Sequence, residues 1–170
     1  MLEIVGRSYA RITSWHPDRV TVDRGVCLAN FMLPAAVGSV SGTSRRALCI
    51  GPGDWLLMAR DWRELEADGR LHSEASEQGF ALADLSDALA CFGVRGRAAR
   101  DVLATGCGLD LHPQSLPPGR CARTRLAQIP VVIECVDVED ELELLVARSY
   151  ARYLADWLAD AWRGASGATR

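Results

Sequence analysis

Hydrophobic positions in this chain recur at two spacings. Near the C-terminal end Tyr150, Tyr153, Leu154, Trp157, Leu158, Ala161 and Trp162 step by three and four residues, marking one side of a helix over 149–163. A stripe of that width has to cover an apolar surface. Ahead of it the period falls to two. Leu142, Leu144 and Val146 alternate with Glu141 and Glu143, while Ile129, Val131, Ile133 and Cys135 share one face of a strand whose other face carries Val132, Glu134 and Val136. Arg123 to Gln128 reads as a strand before it, and Val138-Glu139-Asp140 as a polar turn after it.

The same two periods organise the earlier residues. Arg45 to Ile50 and Asp54 to Ala59 are apolar runs separated by Gly51-Pro52-Gly53, the turn chemistry of an antiparallel hairpin. Arg19 to Asp23 alternates as a short strand, Asp23-Arg24-Gly25 turns the chain, and Val26 to Ala29 continues as strand. Residues 38–44 (GSVSGTS) hold too little apolar content to pack and form a surface loop. Asp61 caps a short helix built on Trp62, Leu65 and Glu66 that stops near Gly69, and a polar segment containing His72 follows. Strands are expected over Phe80–Leu85 and Ala88–Val94. Gly96 then opens a helix near 97–105 with Ala99, Val102 and Leu103 on one face and Gly106 at its stop.

Two strand-strand-helix units follow from this reading, one over 80–105 and one over 123–163. They predict an α+β fold with helices on one face of a largely antiparallel sheet. Residues 1–18 are an arm of uncertain order, 19–163 a single domain, and 164–170 a flexible tail.

Composition narrows the function classes. The 170 residues are 49% hydrophobic and 24% charged, the profile of a folded globular chain. A net charge of −3 supplies no long-range pull toward phosphate backbones or anionic membranes, so neither nucleic acid nor a membrane is expected as a partner. All 19 basic residues are Arg, which matches planar ion pairing but is read here as a compositional bias. With no leader pattern and no apolar run long enough to span a bilayer, a cytoplasmic location is expected. Six cysteines without a Cys-x-x-Cys pair read as buried small hydrophobes.

Residues with chemical potential are few. His16, His72 and His112 lie about 40 or more residues apart, which excludes a local ligand cluster. His112, in Asp110-Leu111-His112-Pro113 with Cys107 and Cys121 nearby in sequence, is the one candidate for a metal or a Cys-His nucleophile. No third group is spaced to complete either, which favours a loop histidine bonded to a backbone carbonyl. Ser86, flanked by Asp84 and Asp87, lacks a base and an oxyanion hole and reads as a turn residue. Gly93-Val94-Arg95-Gly96 sits where a strand-to-helix junction can present N–H groups to an anion, but close helix–strand packing explains both glycines, and Asp137 to Glu143 matches no Ca²⁺ loop. No catalytic, cofactor-binding or metal-binding residue is assigned.

Several quoted segments occur in the order seen in a known family. They are Gly51-Pro52-Gly53-Asp54-Trp55-Leu56-Leu57, Asp84-Leu85-Ser86-Asp87, Gly96 with Ala99, Asp110-Leu111-His112-Pro113, Arg123 to Pro130, and Ser149-Tyr150 with Trp157-Leu158. From about Leu33 to Trp162 the chain resembles the gamma subunit of heterotetrameric sarcosine oxidase, Asp-Leu-His-Pro followed by Thr-x-Leu-x-x-Ile-Pro being the specific part. The resemblance implies a fold similar to the folate-binding domain of aminomethyltransferases and a noncatalytic place in an αβγδ flavoenzyme. That enzyme demethylates sarcosine to glycine, passes the one-carbon unit to tetrahydrofolate and releases hydrogen peroxide. FAD, FMN and NAD would sit on other subunits, and the partners would be the alpha, beta and delta subunits. Trp55, Asp110, Leu111, His112, Pro113, Thr124, Tyr150 and Trp157 become the expected subunit-interface or family-motif residues.

Departures from the pattern keep two alternatives open. Cys49 stands where the family commonly has Trp, and Gly53-Asp54-Trp55 replaces Asp-Glu-Trp, so a sister complex acting on another N-methyl amino acid such as N-methylglutamate is the alternative. A stand-alone folate-binding protein of the aminomethyltransferase kind is the other. Against it, Glu134 to Asp140 replaces the Arg-Thr-Gly-Tyr-Thr-Gly-Glu segment that helps hold folate in those enzymes.

Overall fold

A computed structural model describes residues 2–14, 26–61, 63, 65, 69–137 and 141–167. The chain divides into two compact units, Gly6–Asp87 and Met1–Val5 with Ala88–Arg170, where the sequence reading expects one domain over 19–163. Within the first 18 residues, Leu2–Val5 (β1) and Ser8–Ser14 (β2) are strands. The strand expected at Arg19–Asp23, the turn after it and His16 lie outside the described residues.

In the unit Gly6–Asp87 an antiparallel sheet has the order β5-β6-β7-β2-β8, with Val40–Ser41 as β5, Arg46–Gly51 as β6, Asp54–Ala59 as β7 and Phe80–Asp84 as β8. The Gly-Pro-Gly hairpin is the β6–β7 pair, and Gly53 turns at φ 65°, a conformation that favours glycine. Val26–Leu28 (β3) and Phe31–Leu33 (β4) form a separate hairpin whose two-residue turn, Ala29-Asn30, has φ of 45° and 66°. Positive φ at both turn residues matches the strand twist although neither is glycine. The Arg45 guanidinium lies 4.4 Å from the centre of the Phe31 ring and donates to Ala29 O at 2.8 Å, while Glu74 accepts the Ala29 N–H at 2.6 Å.

Glu74 belongs to α1, Arg70–Glu77, a helix in the stretch read from sequence as a polar segment. Only Leu71 and Ala75 of α1 are buried, a stripe too narrow to register as a period. Upstream of α1, Arg63 and Leu65 are helical and the Leu65 N–H donates to Asp61 O at 3.0 Å. The core gathers Ile12, Leu28, Phe31, Trp55, Leu57, Leu71 and Phe80, with Trp55 and Phe80 edge to face at 5.9 Å.

In the other unit the antiparallel sheet runs β1-β9-β12-β11-β10, with Leu89–Val94 as β9, Arg120–Leu126 as β10, Ile129–Cys135 as β11 and Leu142–Ala147 as β12. Helix α2, Ala99–Ala104, and helix α3, Ala151–Gly167, share one core with Phe92, Leu126, Ile133, Leu142 and Leu144. One face of this sheet is therefore covered by helices, as the alternation of 129–135 and 142–146 predicts. A short 3₁₀ turn, Arg148–Tyr150, feeds α3.

Three differences from the sequence reading are physical. The consecutive strands β8 and β9 do not pair: β8 adds to β2 and β9 lies between β1 and β12, since strand alternation specifies a buried face and not a neighbour. Strand β10 begins at Arg120 and ends at Leu126, because Ala127 and Gln128 turn the chain with φ of 49° and 68°. Cys27 is exposed and Cys107 half-buried, whereas Cys49, Cys91, Cys121 and Cys135 are buried; none of the six is joined in a disulfide. Among the described residues no helix is long and apolar enough to cross a membrane.

Candidate functional site

The site is built at the C-terminal end of α2, where the chain leaves the helix and crosses to β10. Gly106 closes the helix so tightly on α3 that a Cβ built there would lie 2.4 Å from Cζ2 of Trp157. Its carbonyl accepts the Ala127 N–H at 3.0 Å, and Cys107 bridges to Leu126, so the exit is tied to the end of β10. Thr124 of β10 places its hydroxyl 3.8 Å from the Cys107 sulfur.

Asp110-Leu111-His112-Pro113 then folds on itself. The Asp110 carboxylate accepts the His112 N–H at 2.9 Å and the Ser115 hydroxyl at 2.5 Å. These two bonds, in that order the hydroxyl and then the amide, hold its carboxyl below the ordinary carboxylate range, with a further contribution from the nearby His112 ring. The His112 carbonyl accepts from the Ser115 and Leu116 amides at 2.8 and 2.9 Å, forming one helical turn. Sequence reading expects the His112 ring to bond a carbonyl; instead its Nδ1 accepts the Gln114 N–H at 3.2 Å.

Arg100 of α2 locks this turn from below. Its Nη1 donates to Leu111 O at 2.5 Å and Leu116 O at 3.1 Å, and its Nη2 to the Cys135 sulfur at 3.2 Å. The residue is 8% exposed, and its fork satisfies two carbonyls in a buried position. Between α2 and residues 109–113 lies an open cavity of about 540 Å³ with Arg97, Asp101, Asp110 and His112 among its polar and charged lining. Sequence reasoning missed Arg97, Arg100 and Asp101. Arg100 and Asp101 sit in α2 and Arg97 in the turn before it, a stretch read for its small-residue face, and nothing in RAARDV separates a buried Arg from a surface one.

The other motif residues are dispersed. Trp55 is in the unit Gly6–Asp87, 1% exposed, with its indole N–H donating to Pro34 O at 2.8 Å. Leu111 is buried, His112 and Pro113 are exposed, and Trp157 packs on Gly106. Tyr150 is exposed, as is Tyr153, whose hydroxyl donates to Ala127 O at 3.0 Å. His72 is exposed on α1. Ser86 is a turn residue: its hydroxyl accepts the Tyr9 N–H at 3.1 Å and its own amide donates to Asp84 at 2.8 Å. Of the acidic turn, Glu141 pairs with Arg95 at 2.5 Å and Glu143 is buried with the Cys91 thiol at 3.7 Å. No group of three or more His, Cys, Asp or Glu among the described residues is placed to hold a metal ion.

The bonds of Asp110 and Arg100 brace this turn and shape its surface. The model of the sarcosine oxidase gamma subunit family matches residues 21–164. The chain belongs to that family. It is similar to the sarcosine oxidase subunit gamma of Corynebacterium sp. (strain U-96), 35% identical over 131 residues, 76% of this chain and 62% of the relative. It is also similar to those of Corynebacterium sp. (strain P-1), 31% identical over 76% of this chain and 63% of the relative, and Arthrobacter sp, 30% identical over the same shares. The chain thus spans 62–63% of the length of these relatives. Among solved structures, a chain of the heterotetrameric sarcosine oxidase from Corynebacterium sp. U-96 in complex with pyrrole 2-carboxylate superposes with a TM-score of 0.81 at 26% identity, covering 95% of this chain and 82% of that one. The glycine cleavage system aminomethyltransferase T from Bartonella henselae superposes with a TM-score of 0.63 at 16% identity, covering 92% of this chain and 44% of that one, a likeness of fold alone.

Proposed function

We propose that this sarcosine oxidase gamma family member is a noncatalytic, structural subunit of a heterotetrameric sarcosine oxidase. The assembly would demethylate sarcosine oxidatively to glycine, pass the one-carbon unit to tetrahydrofolate and release hydrogen peroxide. FAD, FMN, NAD and tetrahydrofolate would be held by other subunits, and the partners of this chain are alpha, beta and delta subunits. The family match over residues 21–164 carries the reading. Use of the motif side chains supports it: Asp110 and Arg100 spend their hydrogen bonds on the chain's own backbone and hydroxyls, shaping a surface. Trp55 and Leu111 act from the interior, whereas His112, Pro113 and Tyr150 are exposed where a partner can reach them. Six cysteines held as thiols, none in a disulfide, fit a reducing cytoplasm.

Affinity purification of the tagged chain from its native host tests the reading. Larger flavin-containing subunits should co-elute in fixed stoichiometry, and a chain that emerges alone overturns it. Turnover of sarcosine against N-methylglutamate by the assembled complex then fixes the amine.

A further inference from the structure

We propose that the cavity between α2 and residues 109–113 binds a small aliphatic α-amino acid in its zwitterionic form, an inference that goes beyond the subunit role and does not depend on it. The cavity, about 540 Å³, falls within the range of roughly 300–1,000 Å³ usual for small-molecule sites. Its polar and charged groups divide into two sets. Asp110 and Arg100 are committed to the fold through the bonds to Ser115, His112, Leu111 and Leu116. Arg97, Asp101 and the Nε2 of His112 hold no hydrogen bond or ion pair among the described residues.

That second set has a defined chemistry. With Nδ1 of His112 accepting from the Gln114 amide, the proton of the neutral ring sits on Nε2, which is then a donor. Arg97 and His112 supply N–H donors to a carboxylate, and Asp101 supplies an acceptor and a negative charge to an ammonium group. Ala104, Leu109 and Pro113 complete the lining with apolar surface. A ligand carrying carboxylate, ammonium and a short aliphatic chain satisfies all three features. A simple anion leaves Asp101 facing like charge, a simple amine leaves Arg97 unmatched, and a neutral apolar ligand desolvates charges without return.

The test is an amide-resolved NMR titration of the full chain with L-leucine, 4-methylpentanoate and 3-methylbutylamine at neutral pH. Leucine should shift amides within residues 97–113 saturably, and each half-ligand should bind at least about tenfold more weakly. Arg97→Gln should weaken leucine at least about tenfold and Asp101→Asn several-fold. Both residues are exposed, so unchanged melting and spectral dispersion will separate lost binding from lost fold. Absence of saturable shifts, shifts centred elsewhere, equal binding of a half-ligand, or unaltered affinity in Arg97→Gln each overturns the proposal.

Discussion

Replacing Gly106 with alanine adds a single methyl group where the end of α2 packs against α3. A Cβ at that position would meet the Trp157 ring at 2.4, 2.8 and 3.2 Å (Cζ2, Cη2 and Cε2), against roughly 3.5–4.0 Å for carbon atoms in comfortable contact. Three escapes exist and each has a cost. Backing the residue away breaks the Gly106 N–H bond to Leu103 O at 3.1 Å or the Ala127 N–H bond to its carbonyl at 3.0 Å. Moving α3 shifts Leu154 and Leu158, both buried in the core beneath it. Swinging the indole outward forfeits its packing against that core, to which it is attached while half-buried. Overpacking of this kind costs about 1–3 kcal/mol. The opposing gain from a stiffer unfolded chain is about 0.4–1 kcal/mol, since Gly106 lies outside the left-handed region and alanine's backbone is unstrained there. The net loss of about 1–2 kcal/mol lowers Tm by roughly 2–8 °C in a chain of this length. Circular dichroism melts of wild type, Gly106→Ala, Trp157→Leu and the double variant measure it. The clash predicts that alanine is tolerated once leucine stands at 157, a coupling of at least about 1 kcal/mol. Additive costs across the cycle, or a Gly106→Ala chain that melts at or above wild type, refute the reasoning.

Asp110 ties a stability term to pH. Its folded pKa is depressed, so the contribution is fully present above the unfolded carboxylate value near 3.9 and is lost as pH falls through the lower folded value. Carbon-detected titration of the Asp110 carboxyl should show the depressed midpoint, and Ser115→Ala should raise it. At Gln128, whose φ is 68° and whose side chain is exposed, glycine removes the left-handed strain and leaves intact the carbonyl that accepts from Arg125 at 2.5 and 3.0 Å. Gln128→Gly should therefore stabilise by about 0.5 kcal/mol, read as a small upward shift of the melt.

Features set by local chemistry were legible in the residues, and features set by partner choice were not. Gly51-Pro52-Gly53 between two apolar runs has one economical solution, and β6–β7 adopts it. The stripe of α3 needs no knowledge of its neighbours. By contrast Phe80–Asp84 and Leu89–Val94 were recognisable as strands while their pairing was not, because alternation is indifferent to which edge a strand joins. Strand β2 hid because Tyr9, Ala10 and Ile12 are all buried, an uneven pattern among polar residues. Both tight turns, Ala29-Asn30 and Ala127-Gln128, lack the glycine that announces positive φ. At the candidate site His112 stood out by residue type, but the groups that line the cavity with it, Arg97, Arg100 and Asp101, come from α2 and the turn before it, where they read as ordinary surface letters.

The absence of lysine looks compositional until the arginines are followed to their acceptors. Arg45, Arg100, Arg125 and Arg148 each donate to a backbone carbonyl, respectively of Ala29, of Leu111 and Leu116, of Gln128 and of Leu89. A planar fork can bridge acceptors lying in different directions, whereas an ammonium on a flexible stem acts as a compact point charge. Arg100 makes the sharpest case, since one guanidinium spans two carbonyls five residues apart and a thiol on β11. Arg100→Lys keeps the charge and loses that geometry. Leu111 and Leu116 are 4% and 3% exposed, so the carbonyl it fails to reach stays out of water, a loss of about 1–3 kcal/mol. Melting should fall accordingly, and hydrogen exchange should quicken at the Ser115 and Leu116 amides, whose turn the guanidinium braces. A lysine variant with wild-type melting and protection would mean that charge, and not shape, holds the Asp-Leu-His-Pro turn in place.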